Sequence, residues 1–235
     1  MEPRSEDAVH AHEVLLKEYE ERPWHARDPV ATLVNTILSQ NTNDVNRDTA
    51  YQRLQERFSK KGREGEAVPD WEQVRDATVE EVIEAIRPAG LGPTKAPRIQ
   101  GALQTITERE GEITLGFLRD MSTEEARQWL TDLPGVGPKT AAIVLCFALG
   151  KPAFPVDTHV HRVSGRLGLI PENASREKAH DILEDIVPED IYYPFHLNLI
   201  AHGRTICHSR NPACDRCVLR ADCDYYKQVV QEQAA

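Results

Sequence analysis

The chain of 235 residues is acidic, with 38 Asp and Glu against 28 Lys and Arg and a formal net charge of -10. Its longest apolar run, residues 141–149, is far shorter than the ~20 residues of a bilayer-spanning helix, and its polar, acidic N-terminus resembles neither a secretory signal nor an Arg-rich transit segment. Five cysteines in a chain of this size argue against a small secreted disulfide scaffold and point to a reducing cytoplasm, while an apolar fraction of 40% fills the core of one compact unit or two small interleaved domains.

Net negative charge weighs against nucleic-acid binding, because phosphate contacts need Lys and Arg. The charge is unevenly placed, however. Acid gathers in residues 2–21, 64–84 and 172–190, whereas residues 202–220 carry Arg204, Arg210, Arg216 and Arg220 against the single acid Asp215. This predicts a basic face on an otherwise acidic surface, the bland alternative being arginines that merely solvate a loop.

Along the chain, helical signals dominate and strand alternation is scarce. Asp28-Pro29 reads as an N-cap with proline at the first helical position, and Val30, Leu33, Val34, Ile37 and Leu38 continue as a 3.6-residue stripe. A polar stretch, Ser39-Gln40-Asn41-Thr42-Asn43-Asp44, follows. Residues 59–70, with Gly62, Gly65 and Pro69 among charges, read as an exposed loop. Thr78 with Glu81, and Ser122 with Glu125, look like capping boxes ahead of the stripes Val82, Ile83, Ile86 and Ala126, Trp129, Leu130.

Leu133-Pro134-Gly135-Val136-Gly137-Pro138-Lys139-Thr140-Ala141 joins a glycine-rich turn to a helix start. Gly135 and Gly137 allow a tight turn whose bare amides approach a phosphate closely, and the helix beginning near Pro138 adds its positive end. Such a hairpin grips a DNA backbone through Gly135, Val136, Gly137 and Thr140 without reading sequence; a plain helix-turn-helix corner is the alternative. Lys139 is second in that helix, and a neutral amine there is a nucleophile. The competing reading is a lysine that only touches a phosphate. Asp157, ahead of Thr158-His159-Val160, suits a helix N-cap, and a carboxylate so placed can take a proton and stabilise positive charge developing on a sugar. His159 and His161 suit phosphate or supporting contacts, with core packing as the alternative, and Cys146 reads as a buried core thiol.

Cys207, Cys214, Cys217 and Cys223 have the spacing C-x6-C-x2-C-x5-C. So compact a set wraps one metal centre, because two disulfides would strain so short a loop. Four-cysteine zinc sites usually use two C-x2-C pairs and here there is one, while four cysteines equally hold an iron-sulfur cluster, so spacing leaves both open.

In type and order, L-P-G-V-G-P-K-T-A at 133–141, V-D-T-H at 156–159 and the cysteine spacing resemble the endonuclease III family of base-excision DNA glycosylases. The resemblance runs from about Asp28 to Cys223 and takes in Gly90-Leu91 with Lys95-Ala96, and Ala201-His202-Gly203-Arg204. It implies an all-α helix-hairpin-helix glycosylase fold. A helical barrel domain would span 29–150, with its helix-hairpin-helix at about 122–149; residues 1–28 with 151–227 would form an iron-sulfur cluster domain, and 228–235 a tail. Lys139 and Asp157 would lie on opposite sides of a cleft between the domains.

The resemblance further implies a 4Fe-4S cluster on the four cysteines and a bifunctional glycosylase and abasic-site lyase. That enzyme would release oxidised pyrimidines and cut the strand by β-elimination through a Lys139 Schiff base, with Asp157 assisting. The expected partner is double-stranded DNA carrying damaged bases or abasic sites, met by a monomer at a prokaryotic nucleoid and by no membrane. His159, Arg204, Arg210 and Arg216 are expected phosphate contacts. Fillers for the hole left by a flipped base come, by resemblance, from residues 39–44 and Leu91. The family's S-A-Q-A-T-D puts its glutamine on Asn41 if Asp44 is the anchor, or on Gln40 with a one-residue shift, and Leu91 has an ordinary packing alternative.

Two other functions stand beside this one. A monofunctional adenine or mismatched-thymine glycosylase would generally carry another residue at Lys139, and the adenine enzymes use a glutamate where this chain has Asn35-Thr36. A non-catalytic, metal-stabilised DNA-binding module is opposed by the presence of both Lys139 and Asp157.

Overall fold

The computed structural model describes residues 5–62 and 67–231, which fall into two compact units, one within 26–151 and the other drawn from 1–25 and 152–235. The chain opens with α1 (Ser5–Glu18), part of the second unit.

The first unit begins at the predicted cap. Asp28 accepts from the Ala31 amide at 2.8 Å, Pro29 opens α2 (Pro29–Leu38), and Val30, Leu33, Val34, Ile37 and Leu38 are all buried. α2 packs against α3 (Asp44–Arg57) and later helices of the unit, with Leu54, Ile99, Leu103 and Ile106 fully buried; each such side chain contributes about 1.5–3 kcal/mol relative to exposure. Residues 59–70 differ from the expected loop. β1 (Ser59–Lys61) pairs antiparallel with β2 (Ala67–Pro69), and the Asp70 amide donates to Phe58 O at 2.7 Å to close the hairpin. Three exposed or half-exposed residues per strand are too few to show alternation, and Gly65 lies outside the described residues.

α4 (Trp71–Asp76) and α5 (Val79–Ala85) lead through a 3-10 turn (Arg87–Ala89) to the long α6 (Gly92–Glu110). The capping boxes at Thr78/Glu81 and Ser122/Glu125 are both complete, the second opening α7 (Thr123–Thr131). α8 (Pro138–Ile143) continues as a wider π-wound turn, Val144–Leu149, whose six residues are all buried, Cys146 among them. Its terminal carbonyls at Ala148 and Leu149 receive Arg119.

In the second unit α1 packs on α11 (Tyr192–Thr205), which also packs on α9 (Thr158–Leu167); α10 (Arg176–Ile186) completes the helices. Leu15, Phe154, Val160, Leu183, Phe195 and Leu199 form the core, joined by Leu219 and Cys223 from the cysteine segment. Among the described residues no helix is long and apolar enough to cross a membrane.

Candidate nucleic-acid interface and cysteine centre

In the first unit the turn after α7 is built on buried Leu133 and Val136, with the Val136 amide bonded to Leu133 O at 3.1 Å. Of the two glycines only Gly135 uses its special freedom, at φ +75. A Cβ there would also lie 2.7 Å from Cγ and Cδ of Arg98. Gly137, at φ -101 and ψ 179, is an ordinary extended N-cap. Lys139 is, as expected, the second residue of α8; it is exposed, whereas Thr140 and Val136 are buried. Those two side chains pack inward, so only their backbone is available to a phosphate. The amides of Lys139 and Thr140 stand where a helix has no carbonyl to offer them.

Two loops of the same unit bear on the expected base-gap residues. Gln40 accepts from Arg98 Nη1 at 2.9 Å and donates to Gly135 O at 3.5 Å, so its side chain is tied to the hairpin. Asn41 beside it is exposed and left-handed, at φ 52. Leu91 is likewise left-handed, at φ 53, and 53% exposed.

In the second unit Asp157 caps α9. Its Oδ1 accepts from the amides of His159 at 2.8 Å and Val160 at 2.7 Å, which leaves Oδ2 outside the cap. The backbone leading to it is pinned by groups no local pattern reveals. His180 Nδ1 donates to Phe154 O at 2.9 Å, His196 Nδ1 to Pro155 O at 2.8 Å, and Glu184 accepts from the Phe154 amide. His159 is half-buried, with Nδ1 3.0 Å from Arg162 Nη2. Burial pushes its pKa below the usual histidine range, against the pull of Asp157. His161 bonds Ala174 O. Arg204, Arg210 and Arg216 are all exposed.

Cys207, Cys214, Cys217 and Cys223 are free thiols lining one pocket of about 330 Å³ of empty space, partly open to solvent, together with Val163, Leu167 and Ile206. Among the described residues no three metal-binding side chains converge tightly enough for a single ion. Donors already surround the sulfurs. Arg166 Nη1 lies 3.3 Å from Cys207 Sγ while its guanidinium stacks 4.4 Å from the Tyr225 ring, and His202 Nε2 lies 3.4 Å from Cys217 Sγ. Tyr19 OH stands 3.2 Å from the other nitrogen of His202. Burial raises the thiol of Cys217 to about 11, those of Cys214 and Cys223 upward, and lowers His202 to about 4. Such thiols do not ionise alone at neutral pH; a metal must displace the proton. Arg166 and Tyr19 escaped the sequence reading because nothing local marks them, and His202 entered it only as part of a resemblance, without a role; Tyr19 and His202, 183 residues apart, meet beside the sulfurs.

Residues 34–189 match the HhH-GPD superfamily of base excision DNA repair proteins. Over 204 residues the chain is 38% identical to an endonuclease III of Sulfolobus acidocaldarius, across 85% of this chain and 83% of that protein. A solved non-covalent endonuclease III-DNA complex aligns at TM-score 0.79 and 29% identity over 97% of this chain and 98% of its own. A trapped covalent endonuclease III-DNA intermediate aligns at TM-score 0.77 and 28% identity, over 97% and 99%. With the glycine hairpin, the helix it opens and the four-cysteine segment all in their order, this chain belongs to the HhH-GPD superfamily of base excision DNA repair proteins, in its endonuclease III family.

Proposed function

We infer that this chain is a bifunctional DNA glycosylase and abasic-site lyase of base excision repair, acting on duplex DNA with oxidised pyrimidines or abasic sites. One observation carries the reading: Lys139 is an exposed amine in the first turn of the helix that follows the glycine hairpin, in a chain 38% identical to an endonuclease III. Amides of the hairpin and of the start of α8 hold the DNA backbone. Lys139 Nζ bonds to C1′ of the extruded nucleotide as the N-glycosidic bond breaks and its electron pair leaves with the base. The amine gives up a proton with Asp157 assisting, and the departing base takes one up. Ring opening yields a Schiff base. Loss of a C2′ proton then expels the 3′ phosphate and cuts the strand.

Asn41 and Leu91 fill the vacated stack. Support for Asn41 over Gln40 comes from its exposed, left-handed backbone, while Gln40 is tied to Arg98 and Gly135. His159, Arg204, Arg210 and Arg216 contact phosphates in this reading. We assign a 4Fe-4S cluster to the four cysteines, a reading supported by four thiols lining one pocket in a chain 38% identical to an endonuclease III. Bound there, the cluster cross-links the loop that carries Arg210 and Arg216, and no step of the reaction runs through it. A cytoplasmic, nucleoid-associated monomer fits this work.

Borohydride trapping on a duplex with one thymine glycol tests the reading. A covalent adduct that vanishes in Lys139→Ala is expected. No adduct on thymine glycol or on a bare abasic site would overturn the lyase and leave a monofunctional glycosylase or a binding module.

A further inference from the structure

Among the described residues three non-glycine positions have a left-handed backbone, and two of them, Asn41 and Leu91, sit on exposed loops of the same unit. A left-handed leucine costs of order 1–2 kcal/mol, and one left 53% exposed recovers little of that by burial. Backbone strain of this kind persists only where surrounding structure imposes it. The imposing group is visible. Lys95, in the first turns of α6, is 1% exposed, and its Nζ donates to Leu38 O at 2.7 Å and to Ala89 O at 2.8 Å.

These are no ordinary carbonyls. Leu38 is the last residue of α2, three positions before Asn41, and Ala89 ends the 3-10 turn two positions before Leu91. The backbone amide of Lys95 also donates to Leu91 O at 2.9 Å. One residue therefore holds the base of both loops, at sites 57 and 6 residues away in sequence. Charge-assisted bonds in a dry site are strong and directional. Burial lowers the lysine's pKa, so keeping its ammonium there costs free energy that its two carbonyl bonds must offset.

We propose that Lys95 is a positioning residue that registers the Asn41 and Leu91 loops to each other, so that they enter the gap left by an extruded nucleotide as one two-pronged wedge. This rests on the glycosylase reading above and adds to it the element that sets the spacing of the prongs. The two prongs need a fixed separation because the base stack has a fixed rise. A loose prong would find the gap less often and let the nucleotide fall back.

The experiment places 2-aminopurine next to a tetrahydrofuran abasic analogue and reads its fluorescence on binding, for the cluster-loaded wild type, Lys95→Met, Asn41→Ala and Leu91→Ala. Lys95→Met is expected to keep the helical circular dichroism and its affinity for undamaged duplex. It should lose most of the unstacking signal and release thymine glycol about tenfold or more slowly, as misplacement by ~1 Å does. Both alanine variants should lose part of the signal. If they lose none, the wedge reading itself fails. If they lose signal and a folded Lys95→Met does not, the Lys95 proposal alone is overturned. Should Lys95→Met not fold, Lys95→Gln, shorter and neutral, takes its place with the same expected loss. A failure of both to fold would make Lys95 a scaffold residue and overturn the proposal too.

Discussion

Arg98 lies against Gly135: a Cβ on Gly135 would stand 2.7 Å from both Cγ and Cδ of Arg98, whose guanidinium meanwhile donates to Gln40 at 2.9 Å. The hairpin and the loop after α2 are thus joined through one arginine lying flat against a glycine. Gly135→Ala must both strain a residue at φ +75 and displace that arginine. Because Arg98 is flexible the clash can relax, but the left-handed backbone cannot. The variant is expected to lose about 1 kcal/mol or more of stability in denaturant titration. Affinity for a tetrahydrofuran duplex should fall about tenfold, near 1.4 kcal/mol. Unchanged affinity in a destabilised protein would remove the hairpin from the DNA contact.

Asp157 caps α9 and, in the proposed reaction, also assists Lys139. Its Oδ1 takes two amide bonds at the start of α9, and an asparagine oxygen can do the same. Asp157→Asn should therefore keep the melting temperature within a few degrees while base release falls roughly 10²–10⁴-fold, the worth of a positioned acid-base group. Asp157→Ala should add about 1 kcal/mol of lost cap. Equal activity of Asp157→Asn and wild type on thymine glycol would reduce Asp157 to a cap.

The helix starts were legible because a cap is a local event. Asp28, Thr78, Ser122 and Asp157 each bond an amide two or three residues on, and each start sits where the pattern puts it. The strand pair at 59–69 was not legible, since its closure depends on Phe58 and Asp70 rather than on alternation. Neither was the role of Lys95. In the sequence it stands out only through the resemblance at Lys95-Ala96, which gives it no role, and only the approach of Leu38, 57 residues earlier, shows that its ammonium is buried and bonded. His180 and His196, which pin the strand of chain before Asp157, are hidden for the same reason, with partners 26 and 41 residues away.

His202 predicts an electrochemical effect. With a thiolate at Cys217 only an N–H on Nε2 can serve that sulfur, so Nδ1 must accept from Tyr19 OH. Hydrogen bonds to cluster sulfurs favour the reduced state and raise the potential. If the proposed 4Fe-4S cluster is loaded, His202→Phe is expected to lower the potential, and Tyr19→Phe to lower it less, as read by voltammetry on a DNA-modified electrode. The Lys139 adduct should still form in both. Identical potentials in all three proteins would detach this chain of contacts from the cluster.

His12 sets a dependence on acid. Its ring stands edge-on to Phe195 with centroids 5.6 Å apart, and its Nδ1 has no partner among the described residues. Burial lowers its pKa, outweighing the carboxylates of Glu13, Asp190 and Glu21. The folded state therefore resists a proton that the unfolded chain accepts near its ordinary value of 6.5. Where the unfolded state binds more protons, stability rises with pH. The contribution of His12 is thus fully present above 6.5 and is lost as pH falls from there toward its lower folded value. Denaturation midpoints measured between about pH 7.5 and about pH 5 should fall with acid. His12→Phe, which keeps a ring against Phe195 and cannot take a proton, should flatten that slope. A slope as steep in His12→Phe as in the wild type would assign the acid sensitivity to other groups.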